Sequence, residues 1–99
     1  MEINKEYQGD TLILSLKGRL DTITAPQLEN ELKTSLEGIR NLILEMAALD
    51  YVSSAGLRVI LSAQKKMNAR KGKMVVRHCN EMILDVFSMT GFLDILTIE

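Results

Sequence analysis

Two consecutive serines, Ser53 and Ser54, stand where the apolar stretch around Leu49-Asp50-Tyr51-Val52 gives way to an amphipathic helical pattern. That spacing sets both hydroxyls at a helix N-terminus, where backbone N–H groups lack intrahelical partners and the helix dipole favours negative charge. A hydroxyl there either caps the helix or takes a phosphate. Ser53 is the better cap, accepting a backbone N–H bond worth about 1 kcal/mol. Ser54 then occupies the first helical turn with the freer hydroxyl. On a helical wheel Ala55, Arg58, Val59 and Ser62 fall opposite Leu57, Ile60 and Leu61. Val59 is therefore expected on the outward face, one turn from the serines. Beside small residues and an arginine it would make a flat docking patch.

Asp21 is the second candidate. Gly18-Arg19-Leu20-Asp21 lies at the carboxyl end of an expected strand. If that strand neighbours the one over Leu42–Met46, Asp21 and the serines share one end of the domain. The plainer alternative is a loop aspartate that hydrogen-bonds its own backbone. Enzymatic chemistry finds little support. His78 and Cys79 are adjacent in an extended stretch, so their side chains diverge and make a poor base–nucleophile pair. One histidine and one cysteine give no metal-ligand spacing. No GxxxxGK[ST] or GxGxxG is present, so no nucleotide cradle or cofactor is expected. Lys65, Lys66, Arg70, Lys71 and Lys73 cluster at a helix end, where cations complement the dipole, rather than forming a nucleic-acid patch. The six methionines mostly sit at helical spacing and read as core filler.

The elements that must position these residues follow from periodicity. Ile3 to Tyr7, Gly9-Asp10 and Thr11 to Lys17 predict a β-hairpin, with Leu12, Leu14 and Leu16 alternating onto one buried face and Gly18 ending the second strand. Thr24-Ala25-Pro26-Gln27 predicts a helix start with a Thr/Gln capping box. Leu28, Leu32 and Leu36 supply its apolar face, and Gly38 stops it. Leu42-Ile43-Leu44 with Met46 predicts a short buried strand. A second helix is expected from about Ser54 to Arg70, burying Leu57, Ile60, Leu61 and Met67, and Gly72 ends it. Lys73–Arg77 predicts another strand. Asn80 caps a third helix that turns Met82, Ile83, Val86, Phe87 and Met89 inward and terminates at Gly91, and Ile95–Ile98 reads as a last edge strand. The order β-β-α-β-α-β-α-β implies an α/β domain: a mixed, mostly parallel sheet joined by right-handed helical crossovers, with helices packed against it. Sites in such domains gather in the loops at the carboxyl ends of the strands, which is where the double serine lies.

Composition bounds the function. A chain of 99 residues is expected to form one domain over 1–99. A net charge of −1 creates no field favouring nucleic acid or an anionic membrane, and 4% aromatics without tryptophan argue against a base-stacking surface. The single cysteine excludes an intramolecular disulfide; with no signal peptide recognised, the cytoplasm is expected. No apolar run approaches the roughly 18–20 residues of a membrane span. A monomer is expected.

Three segments resemble the STAS domain of anti-sigma factor antagonists. Gly18-Arg19-Leu20-Asp21-Thr22-Ile23-Thr24-Ala25 is similar to the family's early Gly-x-Leu-Asp segment, Leu49–Leu57 to its phosphorylation loop, and Met89-Thr90-Gly91-Phe92 to its helix-ending segment. The middle match, with Gly56-Leu57 directly after the small residues, is the most specific. The resemblance implies a binding protein rather than an enzyme. Its unphosphorylated form would bind an anti-sigma factor that is also a serine/threonine kinase, freeing the sigma factor. Phosphorylation would dissociate the complex, and a phosphoserine phosphatase would reset it. The family's acceptor is the serine two residues before the Gly-Leu pair, here Ser54. Some members carry Asp directly before it; this chain has Ser53, which leaves a rival hydroxyl. The resemblance implies a partner surface of Asp21, Thr22, Ser53, Ala55, Gly56, Arg58, Val59 and Ser62. The alternative is a STAS subunit of a signalling scaffold or lipid-transport complex using the same helix face.

Overall fold

The computed structural model describes residues 1–99. Its elements are β1 (Glu2–Gln8), β2 (Thr11–Leu20), α1 (Ala25–Ser35), β3 (Asn41–Val52), α2 (Ser54–Ala69), β4 (Lys73–Arg77), α3 (Glu81–Thr90) and a 3-10 turn (Phe92–Asp94). The hairpin forms as its sequence predicts: Gln8 pairs with Thr11 across Gly9-Asp10, and Gly9 takes the left-handed φ of +62° that the tight turn needs. The sheet order is β1-β2-β3-β4, antiparallel at the hairpin and parallel thereafter.

Both parallel crossovers step the sheet in the same direction. Right-handed connections therefore put α1 and α2 on one face of the sheet. The strands agree: Leu12, Leu14 and Leu16 of β2, Leu42, Leu44 and Met46 of β3, and Met74 and Val76 of β4 are buried, while their neighbours remain half-exposed or exposed. These residues join Leu28 and Leu32 of α1, Ile60 and Met67 of α2, and Ile83 and Phe87 of α3 in one core.

Several sequence expectations give way. β2 does not stop at Gly18; the glycine sits inside the strand at φ +106° and pairing continues to Leu20. β3 is not a short strand ending near Met46 but runs for 12 residues to Val52. Its register against β2 shifts twice. Ser15 to Lys17 spans Glu45 to Ala48, and Gly18 to Arg19 spans Leu49 to Tyr51. Each shift inserts an extra β3 residue and carries the apolar face from Met46 to Leu49 and then to Val52, so simple alternation loses the strand midway. In α3 only Ile83 and Phe87 are fully buried. Val86 is half-buried, and Met82 and Met89 point to solvent, because the helix lies over the sheet along a narrower stripe than its apolar content suggests. Ile95–Ile98 is not a strand: the segment turns through the 3-10 helix, sinks Leu96 into the core, and pairs with β4 only through Ile98 opposite Val76. No helix is long and apolar enough to cross a membrane.

Candidate functional site

β2 and β3 are parallel neighbours whose last paired residues are Leu20 and Val52. The next residue of each chain is Asp21 and Ser53, so the sheet itself brings the two candidate segments together. The Ser53 N–H donates to Leu20 O at 2.9 Å and ties them.

Ser53 is the helix cap, as expected. Its backbone is extended (φ −91°, ψ 175°), its hydroxyl accepts from Gly56 N at 3.2 Å, and Leu57 N closes the first backbone turn on Ser53 O at 2.9 Å. Ser54 begins α2 and is exposed. The cap thus consumes one hydroxyl and leaves its neighbour free in the first turn, where the helix end favours an anion.

Asp21 takes the form of the plainer alternative. Its Oδ1 accepts from Ile23 N and Thr24 N, each at 3.0 Å. The backbone N–H of Thr24 is the main reason its carboxyl is held below the ordinary carboxylate value, with further help from the Thr24 hydroxyl, Ile23 N–H and Arg19. The expected Thr24–Gln27 capping box does not form. The Thr24 hydroxyl instead donates to Arg19 O at 2.7 Å and accepts from Asp21 N at 2.8 Å, while the Gln27 side chain donates to Met1 O. Arg19 is committed as well: its guanidinium lies 4.3 Å from the centre of the Tyr51 ring and its Nε 3.8 Å from Asp21.

Beside the serines a shallow groove of about 240 Å³ runs between the N-terminal ends of α1 and α2. Thr22, Ala25, Pro26 and Glu29 form one wall, and Ala55, Arg58 and Val59 the other. Four residues of the expected partner surface, Thr22, Ala55, Arg58 and Val59, therefore converge there, with Ser62 half-buried a turn further along. Val59 must be corrected. It does not face outward but is only 5% exposed, because α1 covers a part of α2 that the helical wheel leaves open. Gly56 is buried too, pressed against Leu20; a Cβ built on it would meet Leu20 Cγ at 2.7 Å. Sequence reasoning missed Ile23, which is 86% exposed between the Asp21 turn and α1. The signal was available: a bulky apolar side chain between Thr22 and Thr24 at a strand-to-helix turn has no periodic partner to bury it.

A second cluster of titratable groups, Glu45 with Arg77 and His78, lies away from this groove. His78 Nδ1 lies 2.7 Å from Glu45 Oε1, and Arg77 Nε donates to Glu45 Oε2 at 2.5 Å. Burial alone would raise the Glu45 carboxyl, but the hydrogen bonds from Arg77 and His78 outweigh it and lower the value. Burial, helped by the Glu45 charge, pushes the Cys79 thiol up to about 11, the opposite of an activated nucleophile.

The family model described as STAS domain matches residues 2–99. Among curated relatives, BtrV of Bordetella bronchiseptica, named as an anti-sigma factor antagonist, is 34% identical over 99 residues, covering 99% of this chain and 85% of that protein. Among solved structures, the anti-sigma factor antagonist SpoIIAA in its unphosphorylated form superposes with a TM-score of 0.79 at 17% identity, over 99% of this chain and 87% of that one. The phosphorylated form of the Bacillus cell fate determinant SpoIIAA gives 0.78 at 18% identity, over 99% and 91%.

Proposed function

Since the chain belongs to the STAS domain family, in the branch of the anti-sigma factor antagonists, we propose that it is a phosphorylation-controlled binding module. In its unmodified form it binds an anti-sigma factor through the end of the domain that carries Asp21, Thr22, Ile23, Ser53, Ala55, Arg58 and Ser62, and thereby frees the sigma factor. The anti-sigma factor is also the kinase. The Ser54 hydroxyl attacks the γ-phosphorus of ATP, the P–O bond to ADP breaks, and the hydroxyl proton is released. A phosphatase later hydrolyses the phosphoserine.

One observation carries this reading: Ser53 holds the cap, so Ser54 is exposed with an uncommitted hydroxyl, next in sequence to Ala55 of the α1–α2 groove wall. A phosphoserine carries about −1.5 to −2 charges at pH 7. The N-terminus of α2 tolerates that charge, so the fold survives modification. A docked partner does not, because the phosphate adds bulk and must be desolvated in the interface. Only about 1.4 kcal/mol is needed for a tenfold loss of affinity, so no rearrangement of the domain is required.

The test is mass spectrometry of the chain after incubation with ATP and the anti-sigma kinase of its own genome. One phosphate within Val52–Arg58, absent from Ser54→Ala, supports the reading. Ser54→Ala should bind the kinase and resist release by ATP, and Ser54→Asp should bind poorly. ATP-driven release of the Ser54→Ala complex would refute the assignment.

A further inference from the structure

Arg58 stands apart from the other charges at this end of the domain. Arg19 is engaged by Tyr51 and Asp21, whereas Arg58 is exposed, makes no ion pair and lines the groove. It also sits four residues after Ser54 on α2, on the same helix face, where side chains are neighbours one turn apart. An anion N-terminal to a cation at this spacing is the favourable order on a helix. Of the acidic groups nearby, Glu29, across the groove on α1, pairs with Lys33 at 3.5 Å, and Asp21 is held by backbone N–H groups and Arg19; neither bonds to Arg58.

We propose that Arg58 is the residue through which phosphorylation at Ser54 acts on the groove. In the unmodified chain the guanidinium is the unengaged cation on a rim whose floor is apolar, and it meets a carboxylate on the partner while the groove takes an apolar side chain beside it. In the modified chain the guanidinium is drawn one turn back along α2 onto the phosphate, as a charge-assisted pair. The partner then loses its cationic contact as well as meeting a new negative charge. The fitting partner segment is therefore acidic and apolar rather than basic. This inference deepens the proposed function and rests on it for the partner half; the phosphate half concerns the isolated chain alone.

The experiment uses full-length chain with phosphoserine installed at position 54 by genetic encoding, so it needs no kinase. A ³¹P NMR titration reads the second pKa of the phosphoserine in three backgrounds: unaltered, Arg58→Ala and Arg58→Lys. An i,i+4 ion pair should lower that pKa by about 0.3 unit relative to Arg58→Ala, with Arg58→Lys restoring part of the shift and added salt erasing it. Equal pKa values in the unaltered and Arg58→Ala proteins overturn the proposal. In parallel, calorimetry of the unmodified chain against its own anti-sigma factor should show Arg58→Ala weakening binding several-fold, with phosphorylation costing Arg58→Ala less affinity than it costs the parent. An unchanged affinity in Arg58→Ala overturns the partner half. Failure of the parent chain itself to bind the anti-sigma factor overturns the proposed function instead, and the ³¹P comparison still decides the phosphate pairing.

Discussion

Replacing Gly56 with alanine is the sharpest test of how the fold holds the serines. Gly56 lies in the first turn of α2, two residues after Ser54, with no left-handed φ to explain its choice. The reason for glycine is close approach. An added Cβ would stand 2.7 Å from Leu20 Cγ, 3.0 Å from Leu20 Cδ2 and 3.0 Å from Leu20 O. Carbon atoms in contact prefer about 3.5–4.0 Å, so Leu20 or the helix must move by about 1 Å. Leu20 has nowhere to go, being fully buried in the core. Overpacking of this kind costs about 1–3 kcal/mol. Alanine returns less than about 1 kcal/mol of helix propensity. The net loss should be about 1–2 kcal/mol, a fall in Tm of roughly 5–15 °C for a domain of this length. The displacement also pulls on the Ser53 N–H to Leu20 O bond, which links the two halves of the site. Differential scanning calorimetry of Gly56→Ala reads the loss directly. A double-mutant cycle with Leu20→Ala isolates its cause: Leu20→Ala removes two of the three close contacts, so Gly56→Ala should cost at least about 0.5 kcal/mol less in that background. A Gly56→Ala protein that melts at or above the parent temperature, or a strictly additive cycle, would refute the close-approach argument.

Other outcomes follow from the same geometry. Ser53→Ala removes the cap and should lower stability by about 1 kcal/mol by urea unfolding, while mass spectrometry still finds Ser54 modified by the kinase; loss of modification with an intact fold would move the acceptor to Ser53. The Asp21 carboxyl is depressed in the folded chain, so its stabilisation is complete above the ordinary carboxylate value of 3.8 and is lost as pH falls through the lower folded value. Asp21→Asn should accordingly lose less stability than the parent as pH falls from the ordinary carboxylate value of 3.8 through the lower folded value, and identical acid profiles over that range would contradict the turn's charge-assisted bonding. With its thiol pushed up to about 11 and half-buried, Cys79 should be only about one part in a thousand thiolate at pH 8 and react with iodoacetamide far more slowly than free cysteine. Labelling at the free-cysteine rate would show that the burial is wrong.

Much of this architecture is legible in the residues alone. The alternation of Leu12, Leu14 and Leu16, the Gly9-Asp10 turn and the i, i+4 spacing of Leu28 and Leu32 are local patterns that burial follows directly. Cap chemistry is equally local: Ser53 and Asn80 each accept the N–H three residues on, and Gly91 closes α3 at φ +79°. The capping role of Ser53 beside a freer Ser54 is therefore legible in the sequence, and the nearness of Asp21 follows from it once β2 and β3 are neighbours. What the sequence alone left open is which surfaces other elements cover. Helical periodicity marks the stripe that faces the sheet, but only α1 lying beside α2 buries Val59, and only the crossing of α3 leaves Met82 and Met89 in solvent. The length of β3 was hidden because its two register shifts carry the apolar residues off a period of two, and those shifts exist only relative to β2. Ile95–Ile98 has strand composition, yet burying Leu96 after the turn at Phe92–Asp94 competes with pairing along β4 and leaves one bridge. Local propensity and periodicity determine which residues are able to cap, turn or bury. The packing of one element on another decides which of them do, because burial and close approach are properties of pairs of surfaces.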